Sequence, residues 1–248
     1  MAASAGFEMV GVRLAPAHPA DRSLSLLDSP ALLRRLSAAL ESSGLGVLEA
    51  EVVRLRPESR TEDFDRHLEA AAALRARFVL TVSHDGEEER AAERLAALAE
   101  RAGALDLRVA LEFMAFSEAR TAAEAARLVA LAGHPRLGVL ADSLHLYRSG
   151  GTAADLAGLP LLAAQLCDGP SAAPEDLARE ARTARLMPGE GDLPLGDFVA
   201  MLPRDLPVSL EVPSSTPEDW QERARRARNL PLLRVRRGGG VSHPPSAG

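Results

Sequence analysis

Short apolar runs alternate with longer stretches rich in alanine, arginine and glutamate along most of the chain. The short runs have the length and composition of β-strands, and the longer stretches have the spacing of amphipathic helices. Strands are predicted at residues 8–14, 47–55, 78–83, 108–114, 137–142, 161–167 and 208–214. Helices are predicted near residues 30–43, 62–76, 87–102, 121–132, 153–158, 174–184, 195–202 and 217–229.

This alternation predicts an α/β protein with a parallel sheet, because a crossover between parallel strands normally contains a helix. Seven strands favour a (β/α)8 TIM barrel, with a doubly wound open sheet as the alternative. Residues 2–7, "AASAGF", have the pattern of a helix end that stops at a glycine, directly before the first predicted strand. We therefore expect a barrel that lacks its first strand and most of its first helix.

The end of the chain has a different composition. Residues 234–248, "RVRRGGGVSHPPSAG", combine a basic cluster with glycine, proline and small polar residues. Such a segment buries little apolar surface, so we expect a disordered tail. The predicted organisation is one barrel domain over residues 1–233 and a tail over residues 234–248.

Composition narrows the chemistry and the partners. The chain contains 29 arginines and no lysine, so no lysine is available to form a Schiff base. The net charge of −6 argues against a nucleic-acid partner. The sequence has no run of about 18 apolar residues, so no membrane-spanning segment is predicted. The single cysteine, Cys167, and an N-terminus without a signal-peptide pattern lead us to expect a cytoplasmic protein.

Polar side chains lie near the ends of the last four predicted strands, where parallel α/β proteins place their functional groups. They are Glu112, Asp142, Gln165 and Glu211. Three carboxylates on one rim repel each other unless a positive charge lies between them. Oxygen ligands favour Mn²⁺ or Mg²⁺, so the pattern predicts a divalent cation site. The alternative is that each acid is solvated separately.

Other candidate residues flank these strand ends. His145 is expected on the loop after the fifth predicted strand, where it can bind a substrate hydroxyl or transfer a proton. Arg185, next to the Pro-Gly-x-Gly turn of "RLMPGEGDLPL", can face an oxygen-rich substrate. His84 and Arg13 also fall at strand ends and are expected to line the pocket.

The segments "LEFM", "GVLADSLHLYRSGG", "QLCDGP", "RLMPGEGDLPL" and "SLEVPS" resemble the xylose isomerase-like TIM barrels. This group includes sugar phosphate isomerases and epimerases and belongs to the AP endonuclease family 2 superfamily. The resemblance extends from about residue 4 to about residue 230 and makes the seven strands the second to eighth of the barrel.

The resemblance also implies roles for individual residues. It assigns the cation to Glu112, Asp142, Gln165 and Glu211, with Mn²⁺ or Mg²⁺ favoured and Co²⁺ or Zn²⁺ possible. It implies substrate binding by His145 and Arg185, whereas His84 is added from its strand-end position. Glu112, Glu211 and His145 are the candidates for proton transfer.

One residue departs from the epimerase pattern. Epimerases of this group usually have histidine where Gln165 stands, and glutamine there is similar to some 3-dehydroshikimate dehydratases. The leading hypothesis is a metal-dependent sugar (phosphate) isomerase or epimerase that forms an enediolate or enolate from a small polyhydroxylated keto substrate. The alternatives are a lyase of the 3-dehydroshikimate or inosose dehydratase type, and a catalytically inactive binding barrel.

A DNA-repair endonuclease of the same superfamily is disfavoured, because few histidines are available for its zinc cluster and the chain is acidic. A small-molecule partner is expected, and a homo-oligomer remains open.

Overall fold

The computed structural model describes residues 2–16, 25–213 and 220–230. Seven parallel strands form one sheet in which each strand pairs with the next along the chain. The strands are β1 (Met9–Arg13), β2 (Gly46–Leu55), β3 (Phe78–Ser83), β4 (Arg108–Glu112), β5 (Leu137–Asp142), β6 (Leu161–Leu166) and β7 (Val208–Leu210). All seven predicted strands are confirmed, although β7 is shorter than predicted and Glu211 follows its last residue.

Helices separate the strands, as predicted. They are α1 (Pro30–Ser43), α2 (Asp65–Ala73), α3 (Glu88–Gly103), α4 (Ala122–Ala132), α5 (Ser143–Arg148), α6 (Leu177–Thr183), α7 (Leu195–Met201) and α8 (Trp220–Arg228). The predicted helix at 62–76 begins with a 3-10 helix, Thr61–Phe64, and the segment near 153–158 is a 3-10 helix, Ala153–Leu156. The expected tail at 234–248 lies outside the described residues.

One element was assigned incorrectly from the sequence. The segment that carries His145 was expected to be a loop, but it forms the short helix α5. The Asp142 carboxylate accepts a hydrogen bond of 3.0 Å from the His145 backbone N–H and so caps this helix. A helix of six residues is too short to show an apolar period, so only the cap could have indicated it.

Two apolar clusters lie on opposite faces of the sheet. The larger cluster joins the outward faces of the strands to the helices, for example Val109 and Leu111 of β4 to Leu95 and Leu98 of α3. The smaller cluster contains no helix residue and fills the barrel interior; its members are Leu48, Val52, Phe78, Leu80, Val82, Ala110, Met114, Leu140, Leu162 and Ala163. Side chains alternate between the two faces of a strand, so Glu112 lies on the same interior face of β4 as Ala110.

The barrel is nearly closed, and it is consistent with a TIM barrel that lacks one strand. The strand order runs from β1 to β7 without a β7–β1 pair in the described part of the chain. A cavity of about 720 Å³ lies between these two strands, and its lining includes Gly11, Glu49, Ser209 and Glu211. This cavity lies at the place that the absent strand of a complete TIM barrel would occupy.

No helix within the described ranges has both the length and the apolar character needed to cross a membrane.

Candidate active site

Three buried side chains converge at the carboxyl ends of β4 and β5. Glu112 ends β4, Asp142 ends β5, and His145 lies one helical turn further on α5. One ligand atom from each residue lies within 4.8 Å of the others. The His145 Nε2 atom is 3.7 Å from the Glu112 Oε1 atom. Two carboxylates and an imidazole at these separations have the chemistry of a divalent cation site.

Arg185 joins this group from the segment after α6. Its Nη1 donates to Asp142 Oδ2 at 2.6 Å, and its Nη2 lies 3.0 Å from Glu211 Oε2. The Arg185 side chain is only 2% exposed, and Asp142 is fully buried. The guanidinium therefore balances two carboxylates, one of them fully buried, that would otherwise repel each other.

His145 is neutral at ordinary pH. Burial lowers the pKa of His145 to about 4, although Asp142 opposes this shift. Because the imidazole carries no charge, its 3.7 Å contact with Glu112 is not an ion pair. Arg185 Nη2 lies 3.4 Å from His145 Nε2, and a guanidinium can only donate, so this nitrogen presents its lone pair. The ring of Phe116 packs edge-on against His145, with 5.5 Å between the ring centroids.

The carboxylates of the site differ in proton affinity. Burial raises the pKa of Glu112 well above its usual value, and the charges of Glu211 and Asp142 add to this shift. Burial also raises the pKa of Glu211 to about 7, against the effect of Arg185. Burial alone would raise the pKa of Asp142, but Arg185 reverses the shift and holds the pKa below its usual value. Asp142 is therefore the permanently charged member of the group.

Gln165 lies beside this cluster, in register with Asp142 across the β5–β6 pair. Its side chain is fully buried, and its Nε2 donates to Glu49 Oε1 at 3.2 Å. Its Oε1 atom is buried and has no hydrogen-bond partner in the structure. An orphaned buried acceptor on the strand next to Asp142 fits a cation ligand, because a buried oxygen without a partner otherwise costs free energy.

Sequence reasoning missed two acids on β2. Glu49 and Glu51 are both buried, and burial raises the pKa of Glu49 to about 8. Glu51 forms an ion pair with Arg13, whose Nη2 also lies 3.8 Å from Glu211 Oε1. The available signal was the pair of acids two residues apart inside an otherwise apolar strand.

His84 was expected to bind substrate, and the structure places it half-buried at the end of β3. Burial lowers the pKa of His84, and the nearby charges of Arg56 and Arg54 lower it further. Arg54 is also half-buried, and the charge of Glu112 affects its pKa. Arg54 and Arg56 thus form a cationic rim next to the carboxylate cluster, and His84 lies beside them with its neutral form favoured.

A tight loop holds the chain after Arg185 against β6. The buried carboxylate of Asp168 accepts from the backbone N–H groups of Gly189, Leu193 and Gly169, at 2.8, 3.1 and 2.9 Å. A side chain at Gly191 would place its Cβ 2.4 Å from the Gly169 carbonyl oxygen. The Pro-Gly-x-Gly turn is thus required for close packing, and it fixes the segment that carries Arg185.

The chain is similar to one known protein family and to two curated proteins. The sequence model of one family, described as a xylose isomerase-like TIM barrel, matches residues 1–230. A 3-dehydroshikimate dehydratase of Pseudomonas aeruginosa is 33% identical over 203 residues, which are 74% of this chain and 31% of that protein. A 3-dehydroshikimate dehydratase of Pseudomonas putida is 34% identical over 119 residues, 46% of this chain and 19% of that protein. The matched region thus spans a third or less of these relatives.

Solved structures support the fold. A xylose isomerase-like TIM barrel/4-hydroxyphenylpyruvate dioxygenase fusion protein superposes with a TM-score of 0.79 at 23% identity, over 91% of this chain and 38% of that one. A zinc-bound IOLI protein superposes with a TM-score of 0.71 at 16% identity, over 95% of this chain and 88% of that one. D-psicose 3-epimerase of Clostridium cellulolyticum H10, solved with D-tagatose, superposes with a TM-score of 0.69 at 16% identity, over 95% of this chain and 90% of that one.

Proposed function

The chain belongs to the xylose isomerase-like TIM barrel family, and from this premise we propose that it is a metal-dependent enzyme. Its reaction removes a proton from the carbon next to a carbonyl group of a small polyhydroxylated keto substrate. The observation that carries this proposal is the buried convergence of Glu112, Asp142 and His145 at the carboxyl end of the barrel.

The residues present fit a divalent cation. Glu112 and Asp142 supply carboxylate oxygens, Gln165 supplies its unpaired Oε1, and either His145 or Glu211 completes the set. Oxygen ligands favour Mn²⁺ or Mg²⁺, and the imidazole nitrogen also admits Co²⁺ or Zn²⁺. When bound, the cation supplies Lewis-acid stabilisation of negative charge that develops on a substrate oxygen.

Glu211 is the candidate for proton transfer. Its side chain is 23% exposed, in contrast to the deeply buried Asp142 and Arg185. Its pKa of about 7 lies near neutral pH, which suits a general base. Arg185 holds one oxygen of this carboxylate and orients it. Glu112, the second candidate, is more deeply buried, and burial raises its pKa as well.

His145 and Arg185 are the candidates for binding the substrate. When Glu211 completes the cation site, the neutral imidazole of His145 is left to accept a hydrogen bond from a substrate hydroxyl through Nε2, in place of the one from Arg185. Arg185 remains charged and can donate to a substrate oxygen. Arg54 and Arg56 on the cationic rim add positive charge for an anionic group of the substrate, and the neutral imidazole of His84 can form a hydrogen bond with it.

Two observations favour dehydration over isomerisation. Both curated relatives are 3-dehydroshikimate dehydratases, and the cationic rim suits a substrate that carries a carboxylate. In the dehydration, Glu211 takes the proton on the carbon next to the ketone, and the substrate hydroxyl then leaves with a proton as water. Conversion of 3-dehydroshikimate to 3,4-dihydroxybenzoate plus water balances in this way.

Sugar isomerisation or epimerisation is the second candidate. It shares the first step, since the same base removes a proton next to a carbonyl, and it differs only in where that proton returns. The barrel of the D-psicose 3-epimerase has the same fold, which supports keeping this candidate. A catalytically inactive binding barrel is the outcome expected if no keto substrate is converted.

The test is turnover of the protein loaded with Mn²⁺. 3-Dehydroshikimate, ketohexoses and inososes are supplied separately, and products are identified by mass and by ultraviolet absorbance. We expect conversion of 3-dehydroshikimate, at least 100-fold slower in Glu211→Gln and unchanged in the exposed control Glu69→Gln. Conversion of a ketose alone would select the isomerase, and no conversion by protein that binds Mn²⁺ would contradict an enzyme of either class.

A further inference from the structure

We infer that Glu49 is a positioning residue that orients the amide of Gln165, so that Gln165 presents its oxygen and not its nitrogen to the cation. This inference rests on the proposed function, because it concerns the same metal site. It concerns a residue on β2, four strands away from β6, which carries Gln165.

The contact between the two side chains has only one chemically sensible direction. Glu49 Oε1 accepts from Gln165 Nε2 at 3.2 Å and from Ser209 Oγ at 3.2 Å. Both contacts use Oε1, so a proton held by Glu49 lies on its other oxygen, Oε2, and is not offered to Gln165. The amide nitrogen of Gln165 is therefore turned toward β2, and its Oε1 atom is left over.

The Oε1 atom of Gln165 is unpaired and deeply buried. Gln165 is 0% exposed, and its Oε1 has no hydrogen-bond partner. A flipped amide would instead direct two N–H donors toward the cation, and donors cannot coordinate it. The orientation set by Glu49 is thus the one that suits metal binding, in the way that outer partners orient metal ligands generally.

The position of Glu49 depends on a glycine of the neighbouring strand. A Cβ atom built on Gly11 would lie 2.8 Å from Glu49 Oε1 and 3.1 Å from its Cγ. Glu49 and Gly11 are in register across the β1–β2 pair. The absence of a side chain at Gly11 therefore provides the space that the Glu49 carboxyl group occupies above β1.

These contacts give two independent ways to disturb the amide. Glu49→Leu fills a similar space and removes the acceptor, whereas Gly11→Ala keeps the carboxyl group and displaces it. Glu49→Gln is the conservative variant, because its own amide oxygen can still accept from Gln165 Nε2. Gly196→Ala is the matched glycine control, since a Cβ there meets no atom within 4 Å.

The experiment is calorimetric titration of Mn²⁺ into chelator-stripped full chain, alongside thermal unfolding of each variant. We expect Glu49→Leu and Gly11→Ala to weaken binding by about 10- to 100-fold. Glu49→Gln and Gly196→Ala are expected to remain within about twofold of the original protein. In a Gln165→Leu background, Glu49→Leu is expected to add no further loss, because it acts through Gln165.

The outcomes separate this inference from the proposed function. If the original protein binds Mn²⁺ and both disturbing variants bind it equally well, the inference is overturned and the metal site stands. If the losses from Glu49→Leu and Gln165→Leu add, Glu49 is itself a ligand and the positioning role is wrong. If the original protein binds no Mn²⁺, the metal site and the inference fall together. If Glu49→Leu does not fold, Gly11→Ala decides between these results.

Discussion

Arg185 and Asp142 form a fully buried ion pair at the centre of the site, with 2.6 Å between Nη1 and Oδ2. They lie 43 positions apart in the sequence and come from different elements. Removing one partner of a buried pair leaves an uncompensated charge, which is far more costly than losing a surface pair. The pair therefore matters for the stability of the metal-free protein as well as for substrate binding.

Arg185→Met is expected to destabilise the metal-free protein by about 3–5 kcal/mol. The control is Arg182→Met, since Arg182 is exposed on α6 and its loss is expected to cost less than about 1 kcal/mol. Urea unfolding in the presence of EDTA measures both variants. Added Mn²⁺ is expected to restore part of the stability of Arg185→Met, because a ligand of the folded state stabilises it. Equal stability of the two variants in EDTA would contradict the structural role of Arg185.

Metal affinity is expected to rise with pH between about 5.5 and 8. Glu211 has a pKa of about 7 and so retains its proton at the lower pH, and burial also raises the pKa of Glu112. A cation must displace these protons, so binding releases them and is favoured at higher pH. His145 contributes nothing to this change, since its pKa is about 4.

Calorimetry in two buffers of different ionisation enthalpy counts the protons released on Mn²⁺ binding. Glu112→Gln is expected to reduce that number as well as the affinity. An affinity that stays constant from pH 5.5 to 8 would show that these carboxylates do not hold the cation.

Glu49 is expected to make the metal-free protein less stable as the pH rises. Its pKa is about 8 in the folded protein against an ordinary value of 4.5, so the folded state binds the proton more tightly than the unfolded chain. The favourable contribution is complete below about pH 4.5 and is lost as the pH rises towards 8. Glu49→Gln removes this dependence, because an amide carries no titrating proton.

Thermal unfolding in EDTA at pH 5 and pH 8 checks this prediction. Glu49→Gln is expected to match the original protein at pH 5 and to exceed its stability at pH 8. The gain is a few kcal/mol at most, since one pKa unit corresponds to about 1.4 kcal/mol. A difference of the same size at both pH values would point to packing and not to titration.

Most of the fold follows from local pattern. The apolar runs of the strands and the amphipathic spacing of the helices predicted where the elements lie, because burial follows a local period. In the structure, Ser29 and Thr121 cap the starts of α1 and α4. The alternation of strands and helices then placed Glu112, Asp142 and Gln165 at one end of the sheet. Their assignment to a metal site came from the family resemblance and from the chemistry of carboxylates.

The other parts of the site depend on contacts between residues that are distant in the sequence, and a local pattern does not predict these. The register of β2 against β3 shifts between Ala50 and Val53, and such an irregularity changes which side chains face the interior. Glu49 and Glu51 thus became part of the buried site without a clear alternation in the sequence. The partner of Asp142 was equally hidden, because the path of the chain from α6 to Arg185 depends on tertiary packing.

The loop after Arg185 gives a last prediction, which tests whether its glycines serve packing. A Cβ on Gly191 would lie 2.4 Å from the Gly169 carbonyl oxygen and 2.5 Å from Asp168 Oδ1, and the backbone atom cannot move aside cheaply. Gly191→Ala is therefore expected to destabilise the protein by about 1–3 kcal/mol or more. Gly196→Ala, five residues on and inside α7, meets open space and is expected to stabilise it by about 0.5–1 kcal/mol. Urea unfolding compares the two, and similar effects of both substitutions would mean that the loop is free to adjust and does not fix Arg185.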